Sequence, residues 1–148
     1  MNEIKTILCP VDFSEHSRSA LDQAEELARA LGAQLVMLHV VAPVLYPVAF
    51  GAAPLTTENF EERAKQAAEQ ELQKVVAEVS ERGVPCSSLV GAGSPSQRIV
   101  ELVKTNAIDL VVMATHGHTG LKHALLGSVA ERVVRHCACP VLTVKVAG

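Results

Sequence analysis

Tryptophan is absent from this chain of 148 residues, and aromatic residues of all kinds make up only 3% of it. A core must therefore come from Val, Leu, Ile and Ala. There is enough of them, since 49% of the residues are hydrophobic, and such a composition excludes a disordered chain. Basic charge is not in excess: Lys and Arg number 13 against 16 Asp and Glu, for a net charge of −3. That argues against a general nucleic-acid binder, which needs a basic field. No apolar run is long enough to cross a bilayer. The start, Met-Asn-Glu-Ile-Lys-Thr-Ile-Leu, has no signal-peptide hydrophobic region, so no membrane association and a cytoplasmic address are expected. Four cysteines, Cys9, Cys86, Cys137 and Cys139, form no Cys-x-x-Cys pair and read as buried reduced thiols rather than a disulfide framework. Three stock motifs are also missing. There is no G-x-x-x-x-G-K-[ST], which excludes a P-loop NTPase. Gly91-Ala92-Gly93 lacks the third glycine of a dinucleotide fingerprint. No G-x-S-x-G nucleophile elbow is present.

What is present alternates between two periodicities. The length favours one domain spanning 1–148, able to bury about 68–70% of its unfolded surface. The β-branched run Ile4–Val11 reads as a first strand. Ser14 is a plausible helix start. Ala20, Leu21, Ala24, Leu27, Ala28 and Leu31 then mark a 3.6-residue stripe that Gly32 stops. Gln34–Val41 is almost unbroken apolar sequence, as expected of a strand covered on both faces of a parallel sheet. Residues 42–56, with Pro43, Pro47, Gly51 and Pro54, read as a long surface loop. A polar helix opens at Thr57 or Asn59 and runs to about Arg82, before Gly83 and Pro85. Its acidic residues Glu58, Glu61, Glu62, Glu69 and Glu71 read as a solvated face. Cys86–Val90 is a short strand, and Gly93-Ser94-Pro95 opens a helix carrying Ile99, Val100, Leu102 and Val103. Asp109–Thr115 is a fourth strand. Ser128 starts a helix to about His136, and Pro140–Val146 is a fifth strand. Such βαβαβαβαβ order implies an α/β fold, a parallel sheet with helices on both faces.

Open sheets of this kind bind ligands beyond the carboxyl ends of their strands. Asp12 stands at the end of the first strand, where a carboxylate can accept from ribose hydroxyls or cap a helix; the residue alone leaves both open. Gly127-Ser128 stands at a helix start. The N–H groups there carry a partial positive charge suited to phosphate, although plain capping by Ser128 is the alternative. Gly117 and Gly120 permit close approach of a ligand or a simple turn. His116, His118 and His123 have no acidic or Cys partner close in sequence and are not assigned as metal ligands. His39, inside the second strand, reads as a satisfied core histidine.

Taken together these segments resemble the universal stress protein family over essentially the whole chain. The resemblance lies in Ile7-Leu8-Cys9-Pro10-Val11-Asp12-Phe13-Ser14, in Leu38-His39-Val40, and in Gly93-Ser94-Pro95. It is carried furthest by Met113-Ala114-Thr115-His116-Gly117-His118-Thr119-Gly120-Leu121, by Leu125-Leu126-Gly127-Ser128-Val129, and by Cys139-Pro140-Val141-Leu142. ATP-binding members carry G-x-x-G, nine residues, then G-[ST]. Here Gly117 is the second glycine, nine residues from His118 to Leu126 follow, and Gly127-Ser128 closes the motif. Ala114 replaces the first glycine.

The resemblance implies a five-stranded parallel sheet of order 3-2-1-4-5, a nucleotide-binding α-hydrolase-like fold. It implies ATP as ligand, with Mg2+ as an optional companion. Asp12, following Pro10 at the strand end, would hold the ribose. Val11 and Val40 would line the adenine pocket through backbone contacts. Met113 and Ala114 would pass beside the ribose, and Gly117, Gly127, Ser128 and Val129 would surround the phosphates. It also implies a homodimer formed through the C-terminal strand, with which Val141, Leu142, Val144 and Val146 are consistent, since so apolar an edge needs cover. The expected activity is that of a nucleotide-binding stress-response regulator. No general base aimed at a γ-phosphate, no arginine finger and no metal-binding acid pair is visible. Two further readings stay open: a protein-interaction member that does not bind ATP, which Ala114 favours, and a slow ATPase.

Overall fold

The structure is a computed structural model that describes residues 2–43, 57–116 and 126–146. Strands β1 (Thr6–Pro10), β2 (Gln34–Val41), β3 (Cys86–Ala92), β4 (Leu110–Ala114) and β5 (Val141–Val144) alternate with helices α1 (Glu15–Leu31), α2 (Thr57–Glu81), α3 (Pro95–Thr105) and α4 (Ser128–His136). All strand pairs are parallel, in the order β3-β2-β1-β4-β5. The expected fold class and strand order therefore hold.

β1 is central, pairing with β2 on one side and β4 on the other. Its residues Ile7, Leu8 and Cys9 are fully buried, which is why it reads as a continuous apolar run. The sheet divides the core into two layers. Ile7, Cys9, Leu35, Met37 and Val112 face Ala20, Leu21, Ala24, Ala28, Leu72 and Val79 of α1 and α2. Leu8, Leu38, Val111 and Met113 face Ile99, Val103, Ala130 and Val133 of α3 and α4. Asp109 ties the central strands together at their starts, its Oδ2 accepting from the backbone N–H groups of Lys5 and Thr6, both at 2.9 Å.

Local chemistry sets the helix ends. Ser14 caps α1, its Oγ accepting from Ser17 N–H at 3.1 Å. Gly32 ends the helix at φ 67°, a left-handed conformation that costs an L side chain about 1–2 kcal/mol. The buried stripe of α1 departs from the expected one: Ser17 joins it and Leu27 is only partly buried. Leu31 is 46% exposed, and Glu25 occupies a buried position. Glu25 is tolerated there because its carboxylate accepts from Arg82 Nε at 2.6 Å, Arg82 Nη2 at 2.9 Å and Arg29 Nη2 at 2.9 Å.

Strand ends differ from expectation in four strands, β4 by one residue at each end. β1 is shorter than Ile4–Val11. β3 runs on to Ala92 because Gly91 and Ala92 pair with Val40 and Val41. β5 stops at Val144, the partner of the last residue of β4. The cysteines are all reduced, but only Cys9 is buried; Cys86, Cys137 and Cys139 are partly exposed. The expected loop at 42–56 lies, from residue 44 onward, outside the described residues.

Candidate functional site

β1 and β4 are neighbours whose following helices lie on opposite faces of the sheet, so the strand order reverses between them. The carboxyl ends of strands at such a reversal are the place where sheets of this kind take ligands. Asp12 follows β1, and Thr115 and His116 follow β4. The rings of His16, in the first turn of α1, and His116 are 6.5 Å apart, so the start of α1 and the end of β4 meet at this end of the sheet.

Asp12 is not the helix cap. That role belongs to Ser14. The Asp12 carboxylate instead accepts through Oδ1 from Ser14 N–H at 3.0 Å and from the Ser14 hydroxyl, while Asp12 N–H donates to Ser17 Oγ at 3.3 Å. The carboxylate is thus held in one orientation at the strand end by the cap of α1.

Val11 is equally constrained. Its N–H donates to Leu38 O at 2.8 Å. Its carbonyl accepts from His39 Nδ1 at 2.8 Å. A carbonyl cannot donate, so that ring nitrogen carries the proton. Of the backbone contacts expected from Val11, only the second lone pair of its carbonyl is left for a ligand. His39 is indeed satisfied, but at the mouth of the site rather than in the depth of the core. Over it lies Phe13, with ring centroids 4.6 Å apart. Phe13 is 46% exposed and sits at φ 64°, an outlier for a bulky residue. Phe13 and His39 are the features that the sequence left unassigned to a site. The one hint was an aromatic residue, rare in this chain, directly after Asp12.

The remaining residues divide by layer. Val40, Met113 and Val129 belong to the α3–α4 layer, with Leu126 beside them. Val11 and Ala114 pack against the α1–α2 layer. Ala114 ends β4 in register with Val144. The described non-glycine residues with positive φ are Phe13 and Ala107, so the conformational objection to alanine at position 114 does not apply.

Gly127 is the N-cap of α4 and Ser128 its first helical residue; among the described residues no side chain caps this end. Capping by Ser128, the alternative for that residue, is therefore not what the fold uses. The first N–H groups of a helix have no intrahelical acceptors. Gly127 lies at φ −69°, so glycine is needed here for space, not for conformation. A Cβ at this position would stand 3.0 Å from Thr115 O, to which Gly127 N–H donates at 2.7 Å. The cap of α4 is thus pressed onto the end of β4. Gly117 lies outside the described residues, as do His118, Gly120 and His123. Among the described residues, no group of three His, Cys, Asp or Glu side chains could hold a metal ion, and no helix is long and apolar enough to cross a membrane.

The model of the universal stress protein family matches residues 3–145. Universal stress protein MJ0531 of Methanocaldococcus jannaschii is 38% identical over 146 residues, covering 97% of this chain and 84% of that protein. Universal stress protein MJ0577 of the same organism is 30% identical over 153 residues, covering 95% and 94%. A solved structure of MJ0577 matches with a TM-score of 0.85 over 99% of each chain. A universal stress protein solved in complex with cAMP has the same fold, with a TM-score of 0.72 at 23% identity over 97% of this chain and 98% of that one.

Proposed function

This chain belongs to the universal stress protein family, and from that premise we propose that it binds an adenine nucleotide, ATP, at the carboxyl ends of β1 and β4. It serves there as a ligand-dependent regulator of a stress response rather than as a fast enzyme. The observation that carries the proposal is the pressed cap of α4. A glycine whose added methyl group would press on Thr115 O holds a helix start that no described side chain caps against the end of the strand beside Asp12. Helix starts of this kind favour phosphate. The oriented carboxylate of Asp12 suits ribose hydroxyls, which donate to it. Val40, Met113 and Val129 supply the apolar side. Mg2+, where it accompanies the nucleotide, is held by phosphate oxygens and water. The cAMP complex of a fold neighbour supports the choice of an adenine ligand.

The unit acting in this way is the whole of residues 1–148, in the cytoplasm, as a homodimer through β5. Leu142 on that edge strand is 41% exposed.

Titration calorimetry with ATP and Mg2+ tests the proposal. The wild type gives a saturable isotherm, and Asp12→Ala and Gly127→Val each weaken binding at least about tenfold, equivalent to ~1.4 kcal/mol, with circular dichroism confirming that both variants are folded. A wild type that shows no binding heat of either sign at millimolar ATP refutes it, and the interaction-module reading that Ala114 first suggested then stands.

A further inference from the structure

Cys137 and Cys139 are separated by one residue, a spacing that matches no stock redox motif. Cys137 is the C-cap residue of α4, its N–H donating to Val133 O at 2.9 Å. The chain bends over Ala138 and Cys139 before Pro140 leads into β5. The bend turns both side chains the same way, onto the rim of the α3–α4 layer, and brings the two sulfurs to 3.9 Å. Both residues keep partial access to solvent.

The other two thiols behave differently. Cys9 is fully buried in the central strand, and burial holds its thiol well above the usual range. Cys86 Sγ faces the carbonyl of Ser87 at 3.9 Å, at the opposite edge of the sheet. Burial, with Cys137 close by, pushes the Cys139 thiol up to about 12. Cys139 Sγ also donates to the Pro140 carbonyl at 3.5 Å, so its proton is held by the backbone and it is suited to resolve a mixed disulfide rather than to start one.

We infer that Cys137 and Cys139 form a redox-active dithiol that takes a low-molecular-weight disulfide, of the oxidised glutathione class, and closes to an intrachain disulfide. The Cys137 thiolate attacks one sulfur of the small disulfide, forming a Cys137 mixed disulfide and releasing the first small thiolate. Cys139 gives up its proton to that departing thiolate. Its sulfur then attacks Cys137 Sγ and expels the second small thiolate, which takes up the proton that Cys137 gave to solvent on ionising. Two protein thiols are oxidised and one small disulfide is reduced to two thiols. The sulfurs need only close from contact to the bonded distance of about 2.05 Å. A ring this small is strained, which makes the disulfide readily reducible, the property of a switch rather than of a structural bridge. The dithiol lies on the covalent path between the helix that begins at Gly127-Ser128 and the edge strand β5.

The full-length protein, fully reduced, is equilibrated with mixtures of reduced and oxidised glutathione, quenched in acid and examined by intact mass, thiol titration and peptide mapping. The expected product has lost two hydrogens, retains two of its four thiols and yields a peptide with Cys137 bonded to Cys139. Cys139→Ser stops at the glutathione adduct on Cys137. A wild type that keeps all four thiols, accumulates a glutathione adduct, or links Cys86 or a second chain instead would overturn the inference. The wild-type measurement stands even if the variant fails to fold.

Discussion

Replacing Gly127 by alanine tests the geometry of the α4 cap in isolation. The native φ of −69° and ψ of 167° suit alanine, so the substitution carries no conformational penalty. Its methyl group meets Thr115 O at 3.0 Å and His116 Cα at 3.6 Å, where ordinary contact begins at 3.4 Å. The opposing atom is backbone, and it cannot swing away. Thr115 is anchored by its own N–H, which donates to Val144 O at 3.0 Å. The cap must therefore lift by a few tenths of an ångström, stretching the 2.7 Å bond from Gly127 N–H to Thr115 O. Overpacking of this kind costs about 1–3 kcal/mol, and the weakened bond adds some part of its ~1 kcal/mol. A total of about 2 kcal/mol lowers the melting temperature by about 4–8 °C in a chain of this size. Because the lifted cap carries the first turn of α4 with it, ATP affinity falls about tenfold or more in the same variant. Gly83→Ala is the control. That glycine has φ 91° and open space around it, so the substitution costs stability through the backbone and leaves affinity unchanged. Scanning fluorimetry and calorimetry on the two variants decide the matter. A Gly127→Ala protein with wild-type melting temperature and affinity would show that the close approach to Thr115 has no energetic consequence.

Other outcomes follow from the same structure. Hydrogen bonds from Arg82, and then from Arg29, hold the Glu25 carboxyl below its ordinary value of 4.5. Its contribution is therefore complete above that value and is lost as the pH falls through the lower folded one. Glu25→Gln costs about 2 kcal/mol at neutral pH, and in urea unfolding the gap to wild type narrows below pH 4.5; parallel pH profiles would contradict this. Ala107 is exposed at φ 50°, so Ala107→Gly raises stability by about 0.5–1 kcal/mol in denaturant titration, whereas a loss would mean that the residue is not strained there. Light scattering finds the wild type dimeric and Leu142→Glu monomeric with an unchanged circular dichroism spectrum. A monomeric wild type, or a dimeric variant, removes β5 as the interface.

What the sequence disclosed follows from the range of the interactions involved. Strands buried on both faces, β1, β2 and β4, announce themselves as apolar runs. Ser14, Gly32 and Pro95 punctuate helices through bonds that span a single turn, so their roles were legible. The start of α4 at Ser128 was legible for the same reason, although the cap proved to be Gly127. Glu25 was not legible as a core residue, because the Arg82 that neutralises it is 57 positions away. His39 could be read as satisfied, yet its acceptor, the carbonyl of Val11, lies 28 positions away across a strand pair. The left-handed turn at Phe13 and the approach of the Cys137 and Cys139 sulfurs depend on how loops bend between packed elements, which composition does not encode.

Ala114 shows how a motif departure changes meaning once its surroundings are known. In the sequence it stands where the resemblance to ATP-binding members of the family leads one to expect glycine, and a positive φ at that position would make alanine a strained choice. In the fold it is the last residue of β4, in register with Val144, and its side chain packs against the α1–α2 layer with Val11 and Val144. Met113, one residue earlier, faces the other layer with Val40 and Val129, as alternation along a strand requires. The methyl group therefore points away from the layer of Val40, Met113 and Val129, proposed above as the apolar side of the site, and toward the layer of α1 and α2. A glycine there would remove a packed methyl without relieving any backbone strain. Ala114→Gly is accordingly expected to lower stability by about 1 kcal/mol, the ordinary cost of glycine within a strand, and to leave ATP affinity where it was. A large gain in affinity would mean that the methyl reaches the ligand after all.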